Sequence, residues 1–114
     1  MANSNTKWGV MILFSHETEI LRKLRLIEAL KAELVLNIGK LFQAVADNSE
    51  KAITSALAAV VVSCYCLGKR LGIDFSVLDD SIGEQLNTSS KNTKETEKWF
   101  GDYSELRRYF RDKR

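Results

Sequence analysis

The chain contains no proline, and apolar residues recur at every third or fourth position through much of it. Proline disrupts helix interiors, and this spacing puts side chains on one helix face, so the sequence favours long uninterrupted helices. The first is predicted to begin at Ser15 or Thr18 and to end near Ala46, a rod of roughly 45 Å. That length favours a bundle or a coiled-coil-like pairing. Two apolar stripes follow it: Ile20, Leu24, Ile27, Leu34, Ile38, Leu41 and Val45, and beside them Leu21, Leu30, Val35 and Phe42.

A second helix is predicted from about Glu50 to Leu71, capped by one of residues 47–49 and stopped by Gly72. One face carries large apolar residues and the opposite face small ones. A helix that is apolar or small all round is buried on more than one side, so a neighbour from another subunit is expected. The two faces are Ile53, Leu57, Val60, Val61, Cys64, Leu67 and Leu71, and Ala52, Ala56, Ala59 and Ser63.

The rest of the chain predicts two shorter helices. The third runs from about Ser76 to Leu86, residues 87–94 form a polar linker, and a capping box beginning at Asp102 starts the last helix. The predicted organisation is therefore an N-terminal arm, residues 1–14, followed by a single all-α domain over residues 15–114.

Charge and hydropathy limit the partners and the location. The net charge is +2, which is too balanced to indicate nucleic acid, and the arginines near the C-terminus are offset by acidic residues. The 13 residues from Ala56 to Gly68 carry no charge but fall short of the ~20 needed to span a bilayer. The apolar run of residues 8–14 is short and no cleavage site follows it. We therefore expect a cytoplasmic protein without a membrane partner.

The cysteines do not predict a metal site or a disulfide. On a helix, Cys64 and Cys66 lie about 200° apart around the axis, so they cannot share a metal or form a relaxed disulfide. The only histidine, His16, is far away in the sequence. Both thiols are therefore predicted to be free and buried, acting as small apolar groups.

Three segments carry a resemblance to a known family. IGKLFQAV (residues 38–45), SALAAVVVSCYCLGKRLGIDF (55–75) and EKWFGDYSELRRYFR (97–111) resemble the MazG-like group of the all-α nucleoside triphosphate pyrophosphohydrolases. The resemblance covers roughly residues 25–112 and implies an all-α helical bundle of long antiparallel helices. It also implies a bacterial protein that forms a homodimer or a tetramer.

The same resemblance implies a metal site, which this chain does not reproduce. Enzymes of the superfamily hydrolyse nucleoside triphosphates with Mg²⁺, held by an E-x-x-E pair on one helix and an E-x-x-D pair on the next. Their positions fall on Asn37 and Lys40, and on Ala56 and Ala59, none of which is a carboxylate. Since Mg²⁺ requires hard oxygen ligands, we expect no catalytic residue, no metal ligand and no Mg²⁺ cofactor.

No other acidic pair replaces these ligands. Acidic residues three positions apart occur only at Asp47–Glu50 and Asp102–Glu105, both at helix starts, where capping accounts for them. Asp79, Asp80 and Glu84 are expected to form a solvated helix face. What remains is a candidate vestigial pocket made of Glu33, Asn37, Lys40, Ala56, Ala59 and Ser63.

These residues predict a catalytically degenerate protein rather than an enzyme, acting as an oligomeric binding or scaffold module. Two alternatives remain open. One is a pseudoenzyme that binds a nucleotide or phosphate through the Lys40 ammonium, since lysine binds phosphate as a point charge. The other is a residual Mg²⁺-dependent pyrophosphohydrolase with a relocated metal site. A homodimer or tetramer is expected because the two long apolar faces are hard to cover within one copy.

Overall fold

The chain folds into helices. A computed structural model describes residues 3–90, 98 and 100–113, with side chains over 15–89, 98 and 100–113. The all-α prediction is confirmed, since these residues contain helices, turns and no strand. Within this part of the chain, the helices with defined bounds are α1 (Asn3–Ala46), α2 (Glu50–Arg70), α3 (Phe75–Ser90) and α4 (Asp102–Lys113).

The helices pair within two compact units, where the sequence predicted one domain. Residues 1–72 form the first unit, in which α1 packs against α2. Residues 73–114 form the second, in which α3 packs against α4. Each unit is thus a helical hairpin.

The N-terminal arm is not a separate element. Helix α1 begins at Asn3, so residues 3–14 continue the helix that was predicted to start at Ser15 or Thr18. The segment contains no proline and one glycine, Gly9, which a helix interior tolerates at a cost of about 1 kcal/mol. The first predicted boundary was wrong because Ser15 and Thr18 resemble caps while the helix propagates through them.

The cap and the stop that were predicted for α2 are both present in the structure. Asn48 has a φ of 53°, a left-handed conformation that asparagine tolerates better than most residues. Ser49 caps α2, and its Oγ accepts a hydrogen bond from the Ala52 N–H at 3.3 Å. After α2, Gly72 has a φ of 90°. The predicted bounds of α2 are therefore confirmed to within one residue.

The second unit departs from the prediction at two points. Helix α3 continues to Ser90, so the first residues of the predicted linker are helical, and residues 91–97 lie outside the described part. Helix α4 is preceded by Gly101, whose carbonyl accepts from the Glu105 N–H at 3.0 Å. Asp102 therefore lies inside the first turn, where its charge suits the helix dipole, instead of capping the helix.

The length argument against a membrane span does not hold for α2. Its uncharged stretch runs from Ala52 to Gly68, and the helix has 21 residues. Among the described helices, α2 is the one long and apolar enough to cross a membrane by length and composition. Core helices of soluble proteins pass the same test, so this finding assigns no location.

The prediction of buried thiols was also wrong. Cys64 and Cys66 are both exposed. Helix α2 packs against one helix within its own unit, α1, and that contact covers a single side of it. The two thiols project from the remaining surface.

Candidate functional site

The candidate pocket lies along the contact between α1 and α2. Most of the residues that are buried or half-buried on α1 and α2 are spaced alternately by three and four positions, as in a coiled coil, and Ala59, Tyr65 and Gly68 lie beside that spacing. We call this set the seam. It draws on both predicted stripes of α1, and on α2 it combines large residues with the small ones that were expected to face another subunit. The seam consists of Ile27, Leu30, Leu34, Asn37, Leu41 and Ala44 on α1, and of Ile53, Ala56, Val60, Ser63 and Leu67 on α2.

A polar pair lies inside this apolar seam. The Asn37 side-chain amide (Nδ2) donates a hydrogen bond to the Ser63 hydroxyl (Oγ) at 2.8 Å. Both residues are buried, with exposures of 9% and 5%. Because a buried polar atom without a partner costs about 1–3 kcal/mol, each side chain needs the other. The bond therefore ties α1 to α2 at one position along the seam.

The structure separates the six candidate residues into two groups. Asn37 and Ser63 meet in the seam, and Ala56 and Ala59 are half-buried on α2. Glu33 and Lys40, which the same prediction placed in the pocket, are exposed on α1. Four of the six residues are thus buried or half-buried on α1 and α2. The other two, Glu33 and Lys40, lie at the surface.

The residues present do not fit a Mg²⁺ ion. Mg²⁺ takes hard oxygen ligands in octahedral geometry and is usually held by carboxylates. The alanines at 56 and 59 carry no ligand atom, the Lys40 ammonium repels a cation, and Asn37 offers a single neutral amide oxygen. Within the described part of the chain, no group of three histidine, cysteine, aspartate or glutamate residues is placed to hold a metal.

A second concave surface lies in the unit formed by α3 and α4. A groove of about 630 Å³ is lined by acidic residues of α3 and by arginines of α4. Within the same unit, Arg107 Nη1 donates to Asn87 Oδ1 at 2.9 Å. The acidic residues were predicted to form a solvated face, with no arginines opposite them. The lining comprises Asp79, Asp80, Gly83, Glu84, Leu86, Arg107, Phe110 and Arg111.

The pairing of α3 with α4 could not be found from spacing alone. Asp79 and Arg107 are 28 positions apart, and nothing in the local pattern indicates which helices become neighbours. The groove holds charges of both signs, so its chemistry does not single out one class of ligand.

The chain is similar to a known family of proteins. The model of a family described as the MazG-like family matches residues 20–103, well over half of the chain. The matched segment includes the seam and extends to the beginning of α4. Neither the curated proteins nor the solved structures give a match.

Proposed function

Because this chain belongs to the MazG-like family, we propose that it is a member without pyrophosphohydrolase chemistry that acts as an oligomeric binding or scaffold module. The observation that carries the proposal is the hydrogen bond between Asn37 and Ser63. In the superfamily that the sequence resembles, the position of Asn37 belongs to a metal-binding carboxylate. In this chain the same position holds two helices together.

The chemistry of the pair supports a structural role. The Asn37 amide nitrogen donates to Ser63, which leaves the side-chain oxygen as the only Asn37 side-chain atom that could meet a cation. A single neutral amide oxygen is also a weak substitute for four carboxylates around a divalent cation. The seam is therefore better suited to holding the hairpin than to opening around a ligand.

The distribution of apolar residues supports assembly. Among the described residues, Ala44 and Leu86 are the buried hydrophobic ones, whereas many large apolar side chains are exposed. An exposed apolar surface of this extent marks an interaction site. A single copy thus leaves much of its hydrophobic stabilisation unused, and we propose a homodimer or tetramer in solution.

A pyrophosphate-release assay tests the catalytic half of the proposal. The protein is incubated with deoxynucleoside triphosphates and with either Mg²⁺ or Mn²⁺, and release is expected to stay at the level of the blank. Release that requires the divalent cation, disappears with EDTA and is lost in Asn37→Ala would overturn the proposal. Circular dichroism of Asn37→Ala confirms that the variant is folded.

A second candidate function is nucleotide or phosphate binding without catalysis. Lys40 favours it, since its ammonium is exposed one turn from Asn37 and can reach an anion from the surface. Thermal-shift measurements with nucleoside triphosphates, monophosphates and pyrophosphate separate the two functions. Binding raises the melting temperature with ligand concentration, and Lys40→Ala should abolish that rise. Lys23→Ala, an exposed lysine elsewhere on α1, is the matched control.

A further inference from the structure

The groove between α3 and α4 has its two signs of charge on opposite walls. The acidic lining residues, Asp79, Asp80 and Glu84, all belong to α3, whereas the basic ones, Arg107 and Arg111, both belong to α4. The presence of both signs selects no ligand, but their separation does. A molecule that lies across the groove meets carboxylates at one end and guanidinium groups at the other.

Two apolar residues and a glycine complete the lining of this groove. Leu86 is buried and Phe110 is half-buried. Gly83 lies in the interior of α3, where glycine is less favourable than alanine. Apart from the adjacent turns of its own helix, a Cβ added at Gly83 would meet no atom within 4 Å, so packing inside the described part of the chain does not require a glycine there. Its missing side chain leaves the groove open.

Two of the charged side chains have no polar partner among the residues that the structure describes. Glu84 and Arg111 are both exposed, and within that part of the chain neither forms a hydrogen bond or an ion pair, with each other or with a third residue. Asp79, Asp80 and Arg107, by contrast, already take part in other interactions. Glu84 and Arg111 therefore supply an acceptor and a donor, on opposite walls, for a bound molecule.

We propose that the α3–α4 groove binds a small zwitterion, in which an ammonium group and a carboxylate are joined by an apolar spacer. The ammonium binds Glu84, and the carboxylate binds Arg111, whose planar guanidinium group can donate to both carboxylate oxygens. The spacer packs on Leu86 and Phe110. The site lies wholly in the second unit, so the inference goes beyond the proposed function of the seam and does not depend on it.

The dimensions of the groove suit a small molecule of this kind. Its volume of about 630 Å³ lies within the range of about 300–1,000 Å³ that is usual for small-molecule sites. Because the axes of packed helices lie about 8–10 Å apart, an extended chain of about six carbons reaches from one helix to the other. A six-carbon ω-amino acid therefore has the length and the two end groups that the walls require.

A ligand with a single sign of charge fits the groove less well. A cation drawn to the carboxylates of α3 is repelled by Arg107 and Arg111, and an anion drawn to the arginines is repelled by the carboxylates. In a zwitterion that lies across the groove, each charge meets the opposite one, so the charges that lose water on binding are paired. The division of charge between the walls thus favours a ligand that carries both signs.

Titration of the isotope-labelled protein with 6-aminohexanoate, followed by nuclear magnetic resonance, is the first test. Backbone amide signals of α3 and α4 that line the groove should shift and saturate. Hexylamine and hexanoate carry one of the two charges each on the same carbon chain, and they should bind at least about tenfold more weakly. Equal affinity for the three compounds, or no saturable shift with 6-aminohexanoate at millimolar concentration, would overturn the proposal.

Neutral variants of the two end contacts test which charge each wall recognises. Glu84→Gln should weaken 6-aminohexanoate at least about tenfold and leave hexanoate unchanged or slightly tighter, whereas Arg111→Gln should do the same with hexylamine in place of hexanoate. Glu105→Gln and Arg108→Gln are matched controls, because these residues are exposed on α4 and do not line the groove. Controls that weaken binding as much as the groove variants would show an effect of net charge alone and would overturn the site.

Filling the groove is a test that changes no charge. Gly83→Leu places a side chain in the open space, and it should reduce the affinity for 6-aminohexanoate at least about tenfold while the melting temperature stays equal or rises, because leucine is the better helix former. Ser81→Leu, at an exposed position of α3 off the groove, should bind as wild type does. A folded Gly83→Leu variant with wild-type affinity would contradict the assignment of the groove.

Discussion

The seam and the outer apolar face are built from adjacent residues of the same two helices, and only the seam is covered. The outer apolar face is the exposed set formed by Leu21, Leu24, Val35, Ile38, Phe42 and Val45 on α1, and by Leu57, Val61, Cys64 and Leu71 on α2. Leu41 is half-buried while Phe42 is 67% exposed, and Ser63 is buried while Cys64 is exposed. Both sets repeat with the same spacing. The difference between them therefore reflects how many neighbouring helices one chain supplies rather than how apolar each set is.

The two surfaces also differ in polarity, in the reverse of the usual order. The covered seam contains the polar pair Asn37 and Ser63, whereas the uncovered face is apolar apart from Glu28 and Lys31. A buried polar pair adds little stability but fixes alignment, because a shift of the helices would leave both groups without partners. The seam is thus built to set the register of the hairpin, and the outer face to supply apolar area.

The largest expected effect comes from placing a charge either in the seam or on the outer apolar face. Leu41→Asp puts a carboxylate into the seam and should lower the free energy of unfolding by about 3 kcal/mol. Because the seam lies within one chain, that loss should not depend on protein concentration. In the proposed oligomer, Phe42→Asp would remove a contact between copies, and its loss should then grow as protein concentration rises. Denaturant unfolding at several concentrations checks both.

A double-mutant cycle on the polar pair gives the next largest effect. Asn37→Ala and Ser63→Ala should each cost about 1–3 kcal/mol, because each leaves its partner buried and unbonded. The double variant should cost less than the two together by about 1 kcal/mol. Costs that simply add would show that the hydrogen bond contributes nothing to the seam.

A smaller effect is expected at the start of α2. Ser49→Ala removes the hydrogen bond to the Ala52 N–H and should cost about 1 kcal/mol of unfolding free energy. Ser49→Asp keeps an acceptor at the cap and serves as the control, with stability close to that of wild type. Equal losses in the two variants would mean that the hydroxyl, and not the cap, is required.

The smallest effect is expected in the turn between α1 and α2. Asn48 has a left-handed backbone, which glycine adopts without strain, so Asn48→Gly should change stability by less than about 0.5 kcal/mol. Asn48→Val should cost at least about 1 kcal/mol, because a β-branched side chain is strained at this φ. Thermal unfolding of the pair measures the difference, and a valine variant as stable as the glycine variant would contradict it.

Local chemistry made parts of the molecule predictable. The bounds of α2 followed from Ser49 and Gly72, whose cap and left-handed roles are set by their own side chains. Of the candidate pocket, the structure joins Asn37 to Ser63 by a hydrogen bond, and Ala56 lies two turns before Ser63 on the same face of α2. Glu33 and Lys40 were placed with them but are exposed, because spacing along a helix does not show how far its contact with a neighbour extends around the axis.

The amino-acid pattern alone established that this chain is helical and where α2 begins and ends, and it places no carboxylate at the four positions that correspond by resemblance to metal ligands. Each of these depends on a residue's own chemistry or on its neighbours within one turn. Three features came instead from the packing of the helices: which of two equally spaced stripes becomes the seam, the bond between Asn37 and Ser63, and the exposure of both thiols. These depend on the angle at which two helices meet, which is set by packing over the whole contact and not by any local pattern.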